Sequence, residues 1–201
     1  MSLRKFIFLN LIFFSLGFSL ELSQIEPVMR EDLKKAVLVM QNNAISEADK
    51  PKKMFELFDG YFDYDLMAKL ALSKQYKTLD KEQQIQFKKV FEKKLKQSFT
   101  DKLAYYTDQV IEIQSTSMPN KNRFFVNSLI VNEADKYNIV FKFHRADGDN
   151  FLIYDVDILG VSIIQTYRSQ FEDLSQNVSF DDILKRLEVT SLLDNNETKA
   201  K

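Results

Sequence analysis

The chain has 201 residues, with 28 lysines and arginines against 29 aspartates and glutamates, no cysteine, one histidine and four glycines. A chain of this length suffices for one domain with a single core. Its balanced charge argues against a partner that is bound through many phosphates, so no nucleic-acid partner is expected. The missing cysteines exclude a disulfide framework, a thiolate zinc site and a cysteine nucleophile, and four scattered glycines cannot form a phosphate-binding loop.

The amino terminus has the parts of a secretory signal peptide. Arg4 and Lys5 precede a short apolar segment, and Gly17 and Ser19 supply the small residues of a cleavage site after Ser19. The apolar segment is shorter than the ~20 residues that span a bilayer, although an uncleaved anchor is the alternative interpretation. The predicted organisation is a signal peptide over 1–19, a single domain over 20–193 and a polar, disordered tail over 194–201.

Helical spacing of apolar residues dominates the first part of the exported chain. It predicts one helix over 23–48, a second over 52–58 that begins after Pro51, and a third over 62–72. Charged residues lie between the apolar positions, as expected of helices that turn one face to a core.

The longest predicted helix begins after Thr78. Asp80 and Gln83 are spaced as in a capping box, and either Thr78 or Asp80 could be the N-cap. Large apolar residues follow at i+4 spacing, at Phe87, Phe91, Leu95 and Phe99. Lysines occupy much of the remaining surface, at Lys88, Lys89, Lys93, Lys94 and Lys96. The helix is therefore amphipathic, and its basic face is either simply solvated or meets anionic headgroups or an acidic partner.

After Asp108 the spacing changes to alternation, which is typical of strands. Four strands are predicted, beginning at Val110 and ending at Pro119–Asn120, then over 123–132, 136–145 and 151–158. Helical spacing returns from Ser162 to Phe171 and again over 180–187. The order of helices, meander and helices predicts an α+β fold, with helices packed on one face of a curved four-stranded antiparallel sheet.

Two groups of polar residues suggest chemistry. Asp155 and Asp157 alternate on one strand, where either could act as a base, or one could take a helix N-terminus while the other is solvated. Ser162, His144 and Asp155 can be assembled into a hydrolytic triad, but the second glycine of a nucleophile elbow is missing, which favours Ser162 as a helix N-cap. A single histidine cannot build a histidine-rich metal site, so no metal is predicted.

Residues 154–171, with the sequence YDVDILGVSIIQTYRSQF, strongly resemble the signature of the MlaC family, also called toluene-tolerance auxiliary proteins. Residues 62–68 look like the family's FD-x-x-x-MA helix, and residues 83–95 resemble its Q-x-x-x-F-x-x-x-F-x-x-x-L helix. Phe151 departs from the tryptophan that the family commonly has after the hairpin glycine. The resemblance covers about residues 30–190.

The resemblance implies an NTF2-like cone and a monomeric periplasmic carrier that is not an enzyme and needs no cofactor. Members shuttle phospholipid between an outer-membrane lipoprotein complex and an inner-membrane ABC transporter with its substrate-binding subunit, which maintains outer-membrane lipid asymmetry. Two alternatives remain open. One is a small-molecule isomerase or hydrolase with Asp155 or Asp157 as base, and the other is a periplasmic chaperone that binds peptides.

Withdrawing a two-chain phospholipid from a bilayer exposes ~30 methylenes at ~0.8 kcal/mol each, so a carrier needs an enclosed apolar cavity. We expect that cavity between the long helix and the sheet, with the acyl chains entering passively as the helices spread. Tyr167 and Arg168 are the residues that could lock the closing helix to the sheet. The predicted lining residues are Phe62, Leu66, Leu70, Phe87, Phe91, Leu95, Phe99, Phe125, Phe141, Val161 and Ile164.

Overall fold

The computed structural model describes residues 19–103, 110–131, 136–172, 174 and 178–189. Apart from Ser19, the predicted signal peptide lies outside the described residues, as does the predicted tail. In chain order the elements are β1 (Leu20–Glu21), α1 (Leu22–Gln41), α2 (Lys50–Phe58), α3 (Tyr64–Leu72), α4 (Lys81–Leu103), β2 (Val110–Asn120), β3 (Arg123–Val131), β4 (Lys136–Asp147), β5 (Asn150–Ile158), β6 (Val161–Ser162), α5 (Ile163–Glu172) and α6 (Phe180–Val189).

Local capping explains where several helices begin and end. Asp80 is the N-cap of α4, because its Oδ1 accepts the Gln83 N–H at 2.8 Å while the Gln83 side chain accepts the Asp80 N–H at 3.1 Å. The predicted end of the first helix, at Ala48, is wrong, because α1 ends at Gln41. Asn42 stops it by accepting the Ala44 N–H at 2.9 Å, a turn that competes with the helix.

The described strands form one antiparallel sheet in the order β1-β5-β4-β3-β2, with β6 paired to the same edge of β5 as β1. The four predicted strands are confirmed as β2 to β5. The prediction of a four-stranded sheet was short by two, because β1 and β6 have two residues each and are too brief to show any alternation.

The long strands alternate between a face turned to the helices and a face turned away from them. Val126, Phe143 and Ile153 lie on the first face and are completely buried. A bulge in β5 follows, because Lys142 pairs with Asp155 whereas the next residue, Phe143, pairs with Ile153. Bulges bend a strand and increase its twist, so this one helps to make the inner face concave.

The helices cover the concave face in two groups. Helix α1 contacts β1 and β5 at one edge of the sheet and β2 at the other. Helices α3 to α6 pack mainly on one another, and α3 and α5 both contact β5. The predicted α+β class, with helices on one face of a curved antiparallel sheet, is confirmed. Within the described ranges, no helix combines the length and apolarity needed to cross a membrane.

Candidate functional site

The predicted aromatic stripe of α4 is buried against α5. Phe87 and Phe91 are fully buried and Leu95 is nearly so. The ring centroids of Phe87 and Phe91 are 6.1 Å apart in a stacked arrangement. Phe91 meets Tyr167 edge-on at 5.0 Å, and Phe87 meets Phe171 in the same way at 6.0 Å. These are favourable aromatic geometries, so the stripe holds the two helices together and this part of the interior is filled by side chains.

Tyr167 and Arg168 do not lock α5 to the sheet. Tyr167 is completely buried against Phe91 of α4, and burial raises the pKa of its hydroxyl to about 12. Arg168 forms an ion pair within α5, with its Nε 3.5 Å from Oε1 of Glu172. The ring contact of Tyr167 therefore joins α5 to α4, and the ion pair of Arg168 stays within α5.

The predicted α3 residues lie at the margin of the core. Met67, Ala68 and Ala71 of α3 are completely buried. Leu66 and Leu70 are only half-buried. Phe62 precedes the helix, forms a bridge to β5 and stacks on a neighbouring tyrosine.

Phe141 and Phe125 were both predicted to line the cavity, but the sheet places them on opposite faces. Phe141 pairs with the buried Val126 and packs against the core. Phe125 pairs with Lys142, whose Nζ lies 6.0 Å from the centroid of the Phe125 ring. Because side chains alternate along a strand, only Phe141 faces the helices. Val161 is likewise exposed at the sheet edge.

Two further predicted residues do face the interior. Ile164 is buried at the first turn of α5, and Phe99 is half-buried on α4 and packs against the core. They flank the same interior as Leu95 and Phe141, so the structure brings these four together around one core.

The concave face changes from filled to partly open along β4. Phe143 is completely buried, whereas Phe141 and Ile139 are half-buried although they pack against the core. Ile158 of β5, which pairs with Ile139, is also only half-buried. Ser128 of β3 lies beside Ile139, and its buried hydroxyl has no hydrogen-bond partner within the described structure. This end of the interior is therefore the less completely packed one.

A cleft of about 300 Å³ opens between α1 and β2. Its lining consists of Arg30, Leu33, Lys34, Ile111, Glu112 and Ile113. Leu33 and Ile113 belong to the buried core, so the floor is apolar while the three charged residues are exposed. This cleft was not predicted from the sequence. Arg30, Leu33 and Lys34 have the spacing of one helix face, but nothing along the chain indicates that this face meets β2.

Asp155 joins the sheet to the start of α5. Its Oδ2 accepts from the Ser162 hydroxyl at 2.7 Å and from Lys142 Nζ at 3.1 Å, and its Oδ1 accepts from the Ile164 N–H at 3.1 Å. The Ser162 Oγ in turn accepts the Gln165 N–H at 3.0 Å. Asp155 and Ser162 therefore cap α5, as the N-cap interpretation of Ser162 predicted.

Asp157 completes an ion-pair cluster around the same lysine. Lys142 Nζ lies 2.5 Å from Asp157 Oδ1 as well as 3.1 Å from Asp155 Oδ2. Partial burial lowers the pKa of Lys142, but the two carboxylates outweigh it and hold the pKa above its usual value. Both carboxylates are therefore occupied by a fixed cation, which is a poor arrangement for a general base.

His144 is tied to α3 and not to Ser162. Its Nε2 lies 2.8 Å from Oδ2 of Asp63, and the other oxygen of Asp63 caps α3 by accepting the Leu66 N–H at 2.8 Å. Burial would raise the pKa of Asp63, but the hydrogen bonds from His144 and Leu66 hold it below its usual value. The triad of Ser162, His144 and Asp155 is thus not assembled, because His144 is bonded to the cap of α3 whereas Ser162 and Asp155 cap α5.

The basic face of α4 is largely engaged. Lys88 Nζ lies 3.0 Å from Asp65 Oδ1, Lys96 Nζ lies 2.6 Å from Asp59 Oδ2, and Lys94 donates to the Glu188 carbonyl at 2.6 Å. These contacts tie α4 to its neighbours, while Lys89 and Lys93 are exposed. Across the described residues, no cluster of three histidine or carboxylate side chains is placed to hold a metal ion.

The family model described as "MlaC protein" matches residues 31–189. The fold is similar to that of a phospholipid-binding protein from Ralstonia solanacearum, solved in complex with a phospholipid, with a TM-score of 0.68 and 17% sequence identity. That likeness covers 81% of this chain and 93% of the other. A comparison with curated protein sequences gives no match.

The matched region includes the interior between the helices and the concave sheet, the cluster around Asp155 and most of α1. The family model spans well over half of the sequence, and the chain is therefore a member of the MlaC family.

Proposed function

We propose that this protein binds phospholipid and carries it across the periplasm between an outer-membrane lipoprotein complex and an inner-membrane ABC transporter. Membership of the MlaC family supports the proposal, as does the shared fold of a bacterial protein that was solved with a phospholipid. On this account the chain is exported by residues 1–19 and acts as a monomer that needs no cofactor and catalyses no reaction.

The observation that carries the proposal is the partly open concave face. Phe141, Ile139 and Ile158 are large apolar side chains that face the helices and are only partly buried. Each methylene sheltered there recovers ~0.8 kcal/mol of the ~25 kcal/mol lost when two acyl chains leave a bilayer. A flat surface patch leaves much of each chain in water, so the acyl chains belong between this face and the helices.

The packing also favours a passive opening. Helices α3 to α6 hold one another through contacts such as Phe91 with Tyr167, and they reach the sheet chiefly through β5. The helical group can therefore move away from β3 and β4 without losing its own core. The lining that we propose consists of Leu70, Leu95, Phe99, Ile139, Phe141, Ile158 and Ile164, with Phe87 and Phe91 behind them.

Because the chain contains no tryptophan, a single introduced tryptophan reports on one position. We would compare Phe141→Trp on the concave face with Phe125→Trp on the opposite face of the same sheet. Each folded variant is loaded from vesicles of phosphatidylglycerol whose acyl chains are brominated, because bromine quenches nearby tryptophan fluorescence. We expect strong quenching for Phe141→Trp and little for Phe125→Trp. Equal quenching at both positions, or at neither, would contradict the proposed cavity.

The two alternative functions make different predictions. An isomerase or hydrolase would use Asp155 or Asp157, yet both carboxylates are paired with Lys142 and Asp155 also caps α5. A peptide-binding chaperone would use the same apolar face, so an unfolded apolar peptide should then displace the brominated lipid. We expect no displacement at peptide concentrations that saturate ordinary chaperones.

A further inference from the structure

We infer that the cleft between α1 and β2 is the mouth through which phospholipid enters, and that Lys34 and Arg30 hold its phosphate at the α1 rim. The inference rests on the proposed phospholipid-binding function and adds where the lipid enters and what binds its headgroup.

The floor of the cleft is part of the same core that surrounds the partly open interior. Leu33 and Ile113 line the cleft and are also part of the buried core. Within the sheet Ile113 pairs with Ser128, and Ser128 pairs with Ile139. Ile139, the first of the half-buried residues, therefore lies two strand spacings from Ile113 along the concave face, a distance of about 10 Å. This distance is short for an acyl chain, so a lipid in the interior can keep its headgroup at the cleft.

Ser128 supplies a second reason for this path. Its side chain is completely buried, and its hydroxyl has no hydrogen-bond partner within the described residues. Buried polar groups are normally hydrogen-bonded, so an unpartnered hydroxyl on an otherwise apolar face suits a ligand that brings an acceptor. The ester carbonyls of a glycerophospholipid lie between its phosphate and its acyl chains, as Ser128 lies between the cleft and Ile139.

The charges at the rim match a phosphate on the α1 side. Arg30 and Lys34 are one helical turn apart, and both are exposed. Lys34 has no ion pair or hydrogen bond to the described residues, whereas Arg30 donates from Nη2 to Glu26 Oε1 at 2.8 Å and keeps other N–H groups available. Glu112 lies at the β2 rim between the inward-facing Ile111 and Ile113, so its carboxylate is on the outer side of the strand. Its negative charge there disfavours an anion on the β2 side and favours the α1 side.

The test reverses charges of opposite sign at the same cleft. Lys34→Glu should slow the uptake of fluorescent phosphatidylglycerol from vesicles of phosphatidylglycerol and phosphatidylethanolamine by about fivefold or more, and Glu112→Lys should accelerate it. Lys53→Glu and Glu56→Lys on α2 are matched controls, because both residues are exposed and the changes in net charge are the same. We expect the controls to match the unmodified protein.

A second experiment blocks the cleft with a bulky group, so that its outcome does not depend on charge. The chain has no cysteine, so Lys34→Cys and Lys53→Cys each provide one site for a bulky maleimide. Labelling should block uptake in Lys34→Cys and leave it unchanged in Lys53→Cys. If the Lys34 and Lys53 variants behave alike in both experiments while the unmodified protein takes up lipid, the mouth lies elsewhere and the proposed function survives. If the unmodified protein takes up no lipid, the proposed function itself fails.

Discussion

Replacing Asp155 by alanine should destabilise the protein strongly, because this carboxylate has three partners on three elements, β4, β6 and α5. It is almost completely buried, and it accepts hydrogen bonds from Lys142, Ser162 and the Ile164 N–H. Losing a helix cap costs ~1 kcal/mol. Removing one member of a buried ion pair costs ~3–5 kcal/mol when the other charge is stranded, but Lys142 keeps Asp157 and so only part of that applies. We expect a loss of about 3 kcal/mol in the free energy of unfolding.

The matched control is Asp157→Ala. Asp157 sits two residues away on the same strand and pairs with the same lysine, but its ion pair is confined to the sheet. Its loss leaves Lys142 with Asp155 and leaves the α5 cap intact, so we expect about 1 kcal/mol.

Urea unfolding followed by circular dichroism measures both variants, with equal slopes required before the midpoints are compared. The two predictions differ by about 2 kcal/mol, which this method resolves. Equal losses for Asp155→Ala and Asp157→Ala would refute the capping role. A folded Asp155→Ala variant that retains lipid would in addition separate this structural role from a catalytic one.

Three other changes test the account. Phe91→Ala removes a fully buried ring from between α4 and α5 and should lower the free energy of unfolding, measured in urea, by about 3–5 kcal/mol. A loss below about 1 kcal/mol would show that the contact between Phe91 and Tyr167 does not hold the two helices together. Leu159→Gly should raise the free energy of unfolding by about 1 kcal/mol, since Leu159 is exposed with φ at 55°, and a lower melting temperature would contradict this. Asp63→Asn keeps a cap for α3 but loses the charge beside His144. Folding lowers the pKa of Asp63, so the stability that its charge contributes is present above the unfolded pKa of about 3.9 and is lost as the pH falls through the folded pKa. The variant's deficit at about pH 7 should therefore shrink steadily on acidification below about pH 4, and a deficit that does not change with pH would contradict this.

Helix starts were predictable because capping is a local interaction. Asp80 and Ser162 are the predicted N-caps, and each accepts the N–H of the residue three positions on, Gln83 and Gln165 respectively. The early end of α1 at Gln41 was missed because the apolar spacing continues beyond Asn42. The competing turn depends on a single side chain, which periodicity does not register.

The orientation of side chains toward the interior was less predictable. Phe124 and Phe125 are adjacent, so one must face the helices and the other away, and the alternation of β3 alone does not decide which. The pairing of Phe125 with Lys142 places Phe125 on the face turned away from the helices, and that pairing depends on the register between β3 and β4. The apolar stripe of α4 was correctly predicted to be buried, but its partner, α5, lies far along the chain.

The cleft between α1 and β2 has the weakest sequence signal. Its lining comes from two segments separated by more than 70 residues, and each segment alone resembles an ordinary amphipathic element. Only the path of α1 across the concave face brings Lys34 near Glu112.

Native mass spectrometry of the gently purified exported protein tests the central claim most directly. We predict a polypeptide beginning at Leu20 that carries the mass of one or more intact phospholipids, which organic extraction removes and incubation with phospholipid vesicles restores. A mass equal to that of the polypeptide alone, unchanged after incubation with vesicles, would contradict the account.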